Sequence, residues 1–481
     1  MATTSRRHFL KTSSALFTTS FISQMAGAQS NHSQPPNIVT VFIDDMGWRD
    51  LSCFGNQEAN TPNIDRMARE GIRFEQFYVN SPICSPSRVA ISTGQYPQRH
   101  RITSYLAHRK KNEERGIANW LNPKAPMLAR YLKQAGYATG HFGKWHMGGQ
   151  RDVTNAVPIT DYGFDASLTN FEGLGYKLLP LTEVPAKNGG VKRDKIWNNA
   201  TILGDPVVWM QRSKITGGFV DRAMHFIDQA RTEKKPFYIN LWPDDVHSPF
   251  YPSVENWADT KRGKYLSVLE EMDKQFGPLF DKIQNDPALR ENTLILICSD
   301  NGPDEGAGSS KPLKGIKATL FEGGVRSPLI AWGPGLIEKG RRGTVNESSI
   351  FSGMDLAPSL LHIVGVSAPS AVQFDGENVA DTLLGKSSAS RSAPLFFRRP
   401  PDRENFREYK SLPDLAVRDG KWKLLCDYGG ENPQLYNLED DLGEANNLAE
   451  KHPAVTKRLT QAILEWNATL PKDAGDPNYK P

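Results

Sequence analysis

Three near-continuous apolar, β-branched runs punctuate the chain, at residues 37–43 (Asn-Ile-Val-Thr-Val-Phe-Ile), 237–242 and 293–298. Runs of this kind, too apolar for simple alternation, predict strands buried on both faces. Further strands are expected at residues 72–77, at a short stretch beginning Thr139-Gly140-His141-Phe142, and at 327–332. Between them apolar residues recur at helical spacing. Thr61-Pro62-Asn63 is expected to cap a helix that Gly71 stops, and residues 126–135 another, closed by Gly136. Phe219, Val220, Ala223, Phe226 and Ile227 mark an amphipathic helix, the stripe from Tyr265 to Ile283 marks the longest, and Asp355 to Val364 forms one more before Gly365. Strands alternating with helices predict an α/β fold: a large mixed, mostly parallel sheet between helical layers.

From about Ser367 the texture shifts to Ser, Pro and Ala with shorter apolar runs. Residues 415–425 read as a hairpin with Asp-Gly at its turn, and Val455, Leu459, Ala462, Ile463 and Trp466 share one face of a terminal helix. Three segments are therefore expected: a leader over residues 1–28, a main domain over 29–366, and a smaller C-terminal α+β subdomain over 367–481 with an antiparallel sheet and a helix.

The leader carries Arg6-Arg7 before a moderately apolar stretch and ends in Ala26-Gly27-Ala28, which resembles a twin-arginine signal peptide with its cleavage site. The expected location is periplasmic or secreted, with the twin-arginine export machinery as a partner. Removing residues 1–28 takes away Arg6, Arg7 and Lys11 and no acid, so the net charge falls from +4 to +1. A nearly neutral protein gives no reason to expect nucleic acid or a membrane surface, and no other stretch approaches the roughly 18 apolar residues of a spanning helix. The four cysteines, Cys53, Cys84, Cys298 and Cys426, are scattered with no zinc spacing, and Cys298 falls inside a strand as inert core.

Chemistry changes this picture at the ends of the strands, where open α/β sheets form their sites. Asp44 and Asp45 end one strand, Asp300 and Asn301 another, and Lys144, His146 and His247 follow two more. Three carboxylates and an amide oxygen are hard donors that suit Ca²⁺ or Mg²⁺. Cys84 stands at the expected start of a helix, in the positive end of its dipole, with Arg88 one turn later on the same side. Each piece alone is ordinary, since Asp-Asn-Gly is a common turn and Asp-Asp can cap a helix. Together, at matching strand ends, they reinforce one another.

Cys84-Ser85-Pro86-Ser87-Arg88 followed by Thr93-Gly94 resembles the signature of the formylglycine-dependent sulfatases of the alkaline-phosphatase-like superfamily. The resemblance extends in order over Asp44-Asp45-Met46-Gly47, Gly143-Lys144-Trp145-His146, His247-Ser248-Pro249, Ser299-Asp300-Asn301-Gly302 and Lys317 through Glu322-Gly323-Gly324-Val325-Arg326. It implies an alkaline-phosphatase-like fold and hydrolysis of sulfate esters, with a maturation enzyme converting Cys84 to formylglycine. It further implies a cation, Ca²⁺ or alternatively Mg²⁺, held by Asp44, Asp45, Asp300, Asn301 and the modified Cys84. Arg88, Lys144 and Lys317 would neutralise the transferring group, with His247 the candidate acid for the leaving alcohol and His146 the base for the second hydroxyl. Where the family has Gly-Lys-Gly this chain reads Gly315-Ile316-Lys317-Ala318, with Lys314 as a competitor; the count to Glu322 favours Lys317.

A sulfated polysaccharide or its oligosaccharides is the expected substrate. Arg109, in the run His108-Arg109-Lys110-Lys111, and Arg398 and Arg399, beside Phe396 and Phe397, are candidates for holding it, with solvated surface loops as the alternative. Two other functions compete: a formylglycine-dependent phosphodiesterase or phosphonate monoester hydrolase, and a non-catalytic sulfoglycan-binding protein on the same scaffold.

Overall fold

The computed structural model describes residues 34–402 and 412–480, and residues 34–481 cluster as one compact unit. The expected leader lies outside the described residues.

Twelve strands form the main sheet: β1 (Asn37–Ile43), β2 (Ile72–Tyr78), β3 (Ala138–Gly143), β4 (Ala166–Thr169), β5 (Lys177–Pro185), β6 (Val191–Lys195), β7 (Val207–Gln211), β8 (Phe237–Trp242), β9 (Thr293–Ser299), β10 (Arg326–Trp332), β11 (Thr344–Asn346) and β12 (Phe351–Ser352). Its order is β11-β2-β10-β9-β1-β8-β3-β4-β5-β6, with β12 on β2 and β7 on β5. All pairings are parallel except those of β10 with its two neighbours and of β6 with β5. The carboxyl ends of β1, β3, β4, β8 and β9 therefore open on one edge of the sheet, and antiparallel β10 begins at that same edge.

β1 shows why the apolar runs become central strands. Ile38 and Phe42 join Leu296, Leu329, Val89 and Leu356 in one core, while Val39, Val41 and Ile43 join Ile297, Phe219 and Phe276 in the other. Every residue of β1 is buried. Filling both layers at once requires the unbroken apolar run, and each such side chain contributes roughly 1.5–3 kcal/mol of burial. Cys298 packs in the first core, in accord with its expected inert role. The long helix Lys261–Asn285 buries its whole apolar stripe.

The helix Pro62–Glu70 starts where expected, but the Thr61 side chain does not cap it. Asp273 of the long helix does so instead, accepting from Asn63 N at 3.0 Å and Ile64 N at 2.9 Å. The helix expected over 126–135 is shorter, Leu128–Gln134.

A second, antiparallel sheet comprises β13 (Leu395–Arg398), β14 (Leu415–Asp419), β15 (Trp422–Cys426) and β16 (Gln434–Asn437), in that order, and the helix Pro453–Ala468 packs on it. In the hairpin Asp419 still pairs with Trp422, so the two turn residues are Gly420 and Lys421, with Gly420 at a φ of 53°. The core of this sheet runs without interruption into Tyr78, Ala90, Phe321 and Met354 of the larger layer. At the junction Lys423, fully buried, lies 2.9 Å from Glu322 and 3.0 Å from Glu444, while Tyr78 donates to Glu322 at 2.7 Å.

Candidate active site

The helix Cys84–Thr93 begins at Cys84, after an extended Ile83. Its small residues hold the turn: Ser87 Oγ donates to Ser81 O at 2.8 Å, and Ser85 Oγ accepts from Leu106 N at 3.0 Å. Cys84 is buried, and its Sγ lies within 4.8 Å of carboxylate oxygens of Asp44 and Asp300. Burial pushes the thiol up to about 11, against the pull of Lys144 and Lys317. The position at a helix N-terminus does not overcome that burial, so Cys84 as a plain thiol is a poor nucleophile at neutral pH.

Arg88, one turn on, is fully buried over the rings of Phe42 and Trp242. Its Nη1 donates to Lys144 O at 3.0 Å and its Nη2 to Asp300 Oδ2 at 2.7 Å, with Asp44 Oδ1 3.4 Å away. Lys144, just past β3, reaches Asp44 Oδ2 at 2.5 Å. Burial opposes the charge on Lys144, but Asp44 holds the ammonium above the usual lysine range. Lys317, in the loop before β10, reaches Asp45 Oδ2 at 2.6 Å and is likewise held up. Next to it Ala318 N donates to Pro82 O at 2.8 Å, tying this loop to the Cys84 segment. Lys314 turns away: its Nζ donates to Glu444 O at 3.1 Å and lies over Phe321. Of the two lysines, Lys317 is the one that borders the strand-end carboxylates.

Asp44, Asp45, Asp300 and Asn301 meet at the adjacent ends of β1 and β9. Asp45 takes a positive φ of 57°, its N–H donates to Asp300 Oδ1 at 3.1 Å, and Asn301 Nδ2 donates to Asp45 Oδ1 at 2.7 Å. Burial opposes ionisation of Asp44, yet Lys144, His247 and Arg88 hold its carboxyl well below the usual range. Burial and neighbouring Asp44 push Asp300 well above it. Asp44 Oδ1 and Asn301 Oδ1 are buried without a hydrogen-bond partner. Orphaned acceptors are costly, and hard oxygens clustered around Asp44 fit a divalent cation. Three carboxylates face Arg88, Lys144 and Lys317 here, so a dication would leave the site net positive, as an anionic ester requires.

His146 and His247 border the same cleft, a cavity of about 760 Å³ that also takes in Cys84, Lys144 and Lys317. His146 Nε2 lies 3.2 Å from Leu106 O and 3.4 Å from Glu172 Oε1, while its Nδ1 is buried without a partner. Burial, Lys144 and Arg88 lower its pKa well below the usual imidazole value. His247 Nδ1 lies 2.7 Å from Ser248 O, and its Nε2 is 3.6 Å from Asp45 Oδ2; burial and Lys317 lower its pKa too.

The Sulfatase family profile matches residues 36–366, and that of the N-sulphoglucosamine sulphohydrolase C-terminal region matches residues 316–469. The chain belongs to the sulfatase family. It is 31% identical over 499 residues to Arylsulfatase G of Rattus norvegicus, covering 93% of this chain and 90% of that one. To the N-acetylgalactosamine-6-sulfatase of Canis lupus familiaris it is 32% identical over 373 residues, covering 76% and 69%. The crystal structure of Ps i-CgsB in complex with k-i-k-neocarrahexaose shares the fold, with a TM-score of 0.72 at 23% identity over 92% of this chain and 94% of that one. The sulfatase is thus a sulfuric ester hydrolase of alkaline-phosphatase-like fold, and the formylglycine mechanism and a bound metal are characteristic of its family.

The structure brings together ten of the residues singled out in the sequence and separates three. Arg398 and Arg399 are buried. Arg398 pairs with Asp473 at 3.1 Å and donates to Pro471 O at 2.9 Å, and Arg399 donates to Leu412 O at 3.2 Å. Their expected role as substrate contacts is corrected, because a guanidinium enclosed by its own protein has no face for a glycan. Arg109 is half-buried beside the cleft: its guanidinium bonds Asn155 and Asp152 O and lies over Trp120, while its neighbour His108 reaches the cleft wall. Sequence reading missed Gln150, Arg151, Glu172 and Asp304, which also line the cleft. Arg151 follows the Lys144 motif closely enough to have been suspected. Glu172 follows a strand too short and polar to announce itself.

Proposed function

We propose that this sulfatase removes sulfate from a sulfated polysaccharide or its oligosaccharides, using formylglycine at position 84 and a Ca²⁺, or alternatively Mg²⁺, held by Asp44, Asp45, Asp300, Asn301 and the modified residue. The observation that carries the reading is the placement of Cys84 between the oxygen cluster and the cationic pair Lys144 and Lys317. The carbohydrate substrate is supported by the names of the relatives, an N-acetylgalactosamine-6-sulfatase and a neocarrahexaose complex among them.

As the hydrated aldehyde, residue 84 supplies a geminal diol: one hydroxyl can attack sulfur and the other can collapse to expel sulfate, an exit that a sulfated serine lacks. The cation would polarise a sulfate oxygen. Lys144 and Lys317 neutralise charge on the transferring group from two sides, and Arg88 holds Asp300 and the Lys144 backbone in register. His146 presents an unpartnered Nδ1, since Nε2 faces a carbonyl, and so accepts the proton of the second hydroxyl. His247 has Nδ1 engaged by Ser248 O, which leaves Nε2 to protonate the leaving oxygen. Its lowered pKa makes the imidazolium, once formed, a stronger acid.

A formylglycine-generating maturation enzyme and the twin-arginine export machinery are the partners this reading requires, with a periplasmic or secreted location. Support comes from the Arg6-Arg7 leader, and no helix among the described residues is long and apolar enough to cross a membrane. The main catalytic segment would span 29–366 and the C-terminal segment 367–481.

A peptide mass spectrum across residues 80–99 tests the modification, and sulfate release from sulfated polysaccharides, run beside phosphodiester and phosphonate ester assays, tests the reaction. Turnover of the phosphorus esters alone would favour the competing hydrolase. An unmodified Cys84 in metal-loaded protein from a host with the maturation enzyme would favour the binding protein. Cys84→Ala is expected to abolish turnover while leaving the thermal melt close to that of the parent.

A further inference from the structure

The cleft is also lined by polar groups that the mechanism does not use. Glu172 follows β4 at the sheet edge and is fully buried, yet it lines the cleft. Its Oε1 accepts from Gln150 Nε2 and lies 3.4 Å from His146 Nε2, whereas its Oε2 has no hydrogen-bond partner. Arg151 lines the same cleft with Nη1 buried and equally unpartnered. The guanidinium carbon of Arg151 lies 5.7 Å from the Phe171 ring, and that ring is itself part of the cleft.

The backbone is shaped to hold these groups together. Gly173 N donates to Gly149 O at 3.2 Å, and a Cβ at Gly149 would come within 2.9 Å of Gly173 Cα. A glycine at 149 lets the loop after β3 approach the loop after β4 so closely. Lys177, buried at the start of β5, fastens the second loop from behind by donating to Thr169 Oγ1 at 2.7 Å and to the Gly173 carbonyl. A loop anchored this firmly holds a carboxyl oxygen and a guanidinium nitrogen buried and unpartnered beside the cleft.

A buried guanidinium N–H and a buried carboxyl oxygen able to give or take a hydrogen bond, with an aromatic ring near them, match the edge of a pyranose ring. Its adjacent hydroxyls both give and receive hydrogen bonds, and its C–H face lies against aromatic carbon. We propose that Glu172 and Arg151, with Phe171 beside them, form a sugar-recognition subsite next to the reacting sulfate, binding adjacent hydroxyls of the sulfated ring. The subsite rests on the carbohydrate reading above. Burial, outweighing the pull of Lys144 and Arg151, raises the Glu172 carboxyl to about 8, so it enters the complex carrying little charge and is cheaply desolvated by a neutral hydroxyl. A site built to bond a hydroxyl rejects the analogue that lacks it, because its own groups are then left unpaired.

The test compares kcat/KM on N-acetylgalactosamine 6-sulfate and on k-i-k-neocarrahexaose with kcat/KM on 4-nitrophenyl sulfate, which has no ring hydroxyls. For Glu172→Gln, and separately for Arg151→Gln in case the first variant folds poorly, the ratio of sugar to aryl kcat/KM is expected to fall by about tenfold or more. Equal losses on both substrates would make Glu172 a positioning residue for His146 and overturn the subsite. An unchanged ratio in a folded variant would overturn it as well. Wild-type turnover of the aryl sulfate with none of either sugar sulfate would remove the carbohydrate reading and the subsite together, whereas sugar turnover indifferent to both variants would remove the subsite alone.

Discussion

Arg88 donates to Asp300 at 2.7 Å with both side chains fully buried, so the helix Cys84–Thr93 is locked to the end of β9. The same guanidinium spans to the Lys144 carbonyl and lies 3.4 Å from Asp44. A planar fork can meet these partners at once, and an ammonium cannot. Arg88→Lys is therefore expected to keep the fold and lose about a hundredfold in kcat. Arg88→Ala strips a buried pair of its cation and should also lower stability by about 3–5 kcal/mol. Steady-state kinetics alongside denaturant melts would check both, and an Arg88→Lys enzyme of parental kcat would contradict the geometry.

Lys314 and Lys317, three residues apart, face different parts of the molecule. Lys317→Ala removes the ammonium that reaches Asp45 and is expected to lower kcat/KM by about 10²–10³. Lys314→Ala loses its bond to Glu444 O and its place over Phe321, and should lower the melting temperature with kcat/KM within about threefold of the parent. Reversal of the two phenotypes would return the family lysine to position 314.

Glu172 links stability to pH. Its carboxyl is raised from 4.5 to about 8, chiefly by burial, so between those values the folded protein keeps a proton that the unfolded chain has released. The contribution is complete below about 4.5 and is lost as pH rises towards 8. Thermal melts across this interval should show Glu172→Gln with a flatter pH dependence than the parent. A variant whose slope matches the parent would show that the carboxyl is already ionised in the fold.

Chelation should act on stability as well as on rate. The acceptors Asp44 Oδ1 and Asn301 Oδ1 are buried without a hydrogen-bond partner, so if a cation is what satisfies them, metal-free protein is expected to melt earlier and to regain its melting temperature on adding Ca²⁺ or Mg²⁺. A cation present at a hundred times its Kd stabilises by about 2.7 kcal/mol. The comparison of the two ions by titration identifies the preferred one, and Asn301→Ala should weaken that response.

Much of this arrangement was legible because burial and chemistry meet abruptly in the sequence. β1 and β9 are buried throughout and largely apolar, and break into Asp44-Asp45 and Asp300-Asn301 within one residue, so both strand and site announce themselves. The half of the sheet beyond β3 sends no such signal. β4 is only Ala-Ser-Leu-Thr, and β6, Val-Lys-Arg-Asp-Lys, is an exposed edge strand, where charge protects against further pairing instead of marking a core. Glu172 was invisible for that reason. Arg398 and Arg399 were misread because nothing local shows a partner: Asp473, which buries Arg398, lies 75 residues further along the chain. Thr61 failed as a cap for the same reason, since the acceptor that replaced it, Asp273, belongs to a helix 210 residues away.

The lysine sealed between Glu322 and Glu444 makes the chain hard to shorten. A fragment ending near residue 366 would keep Glu322 at the mouth of β10 but lose Lys423, exposing a carboxylate that is buried in the intact chain, only five residues from Lys317. It would also uncover Tyr78, Ala90 and Met354, the apolar floor on which the small sheet rests. The residues after 366 thus cover part of the larger layer's own core, and a fragment without them is expected to aggregate.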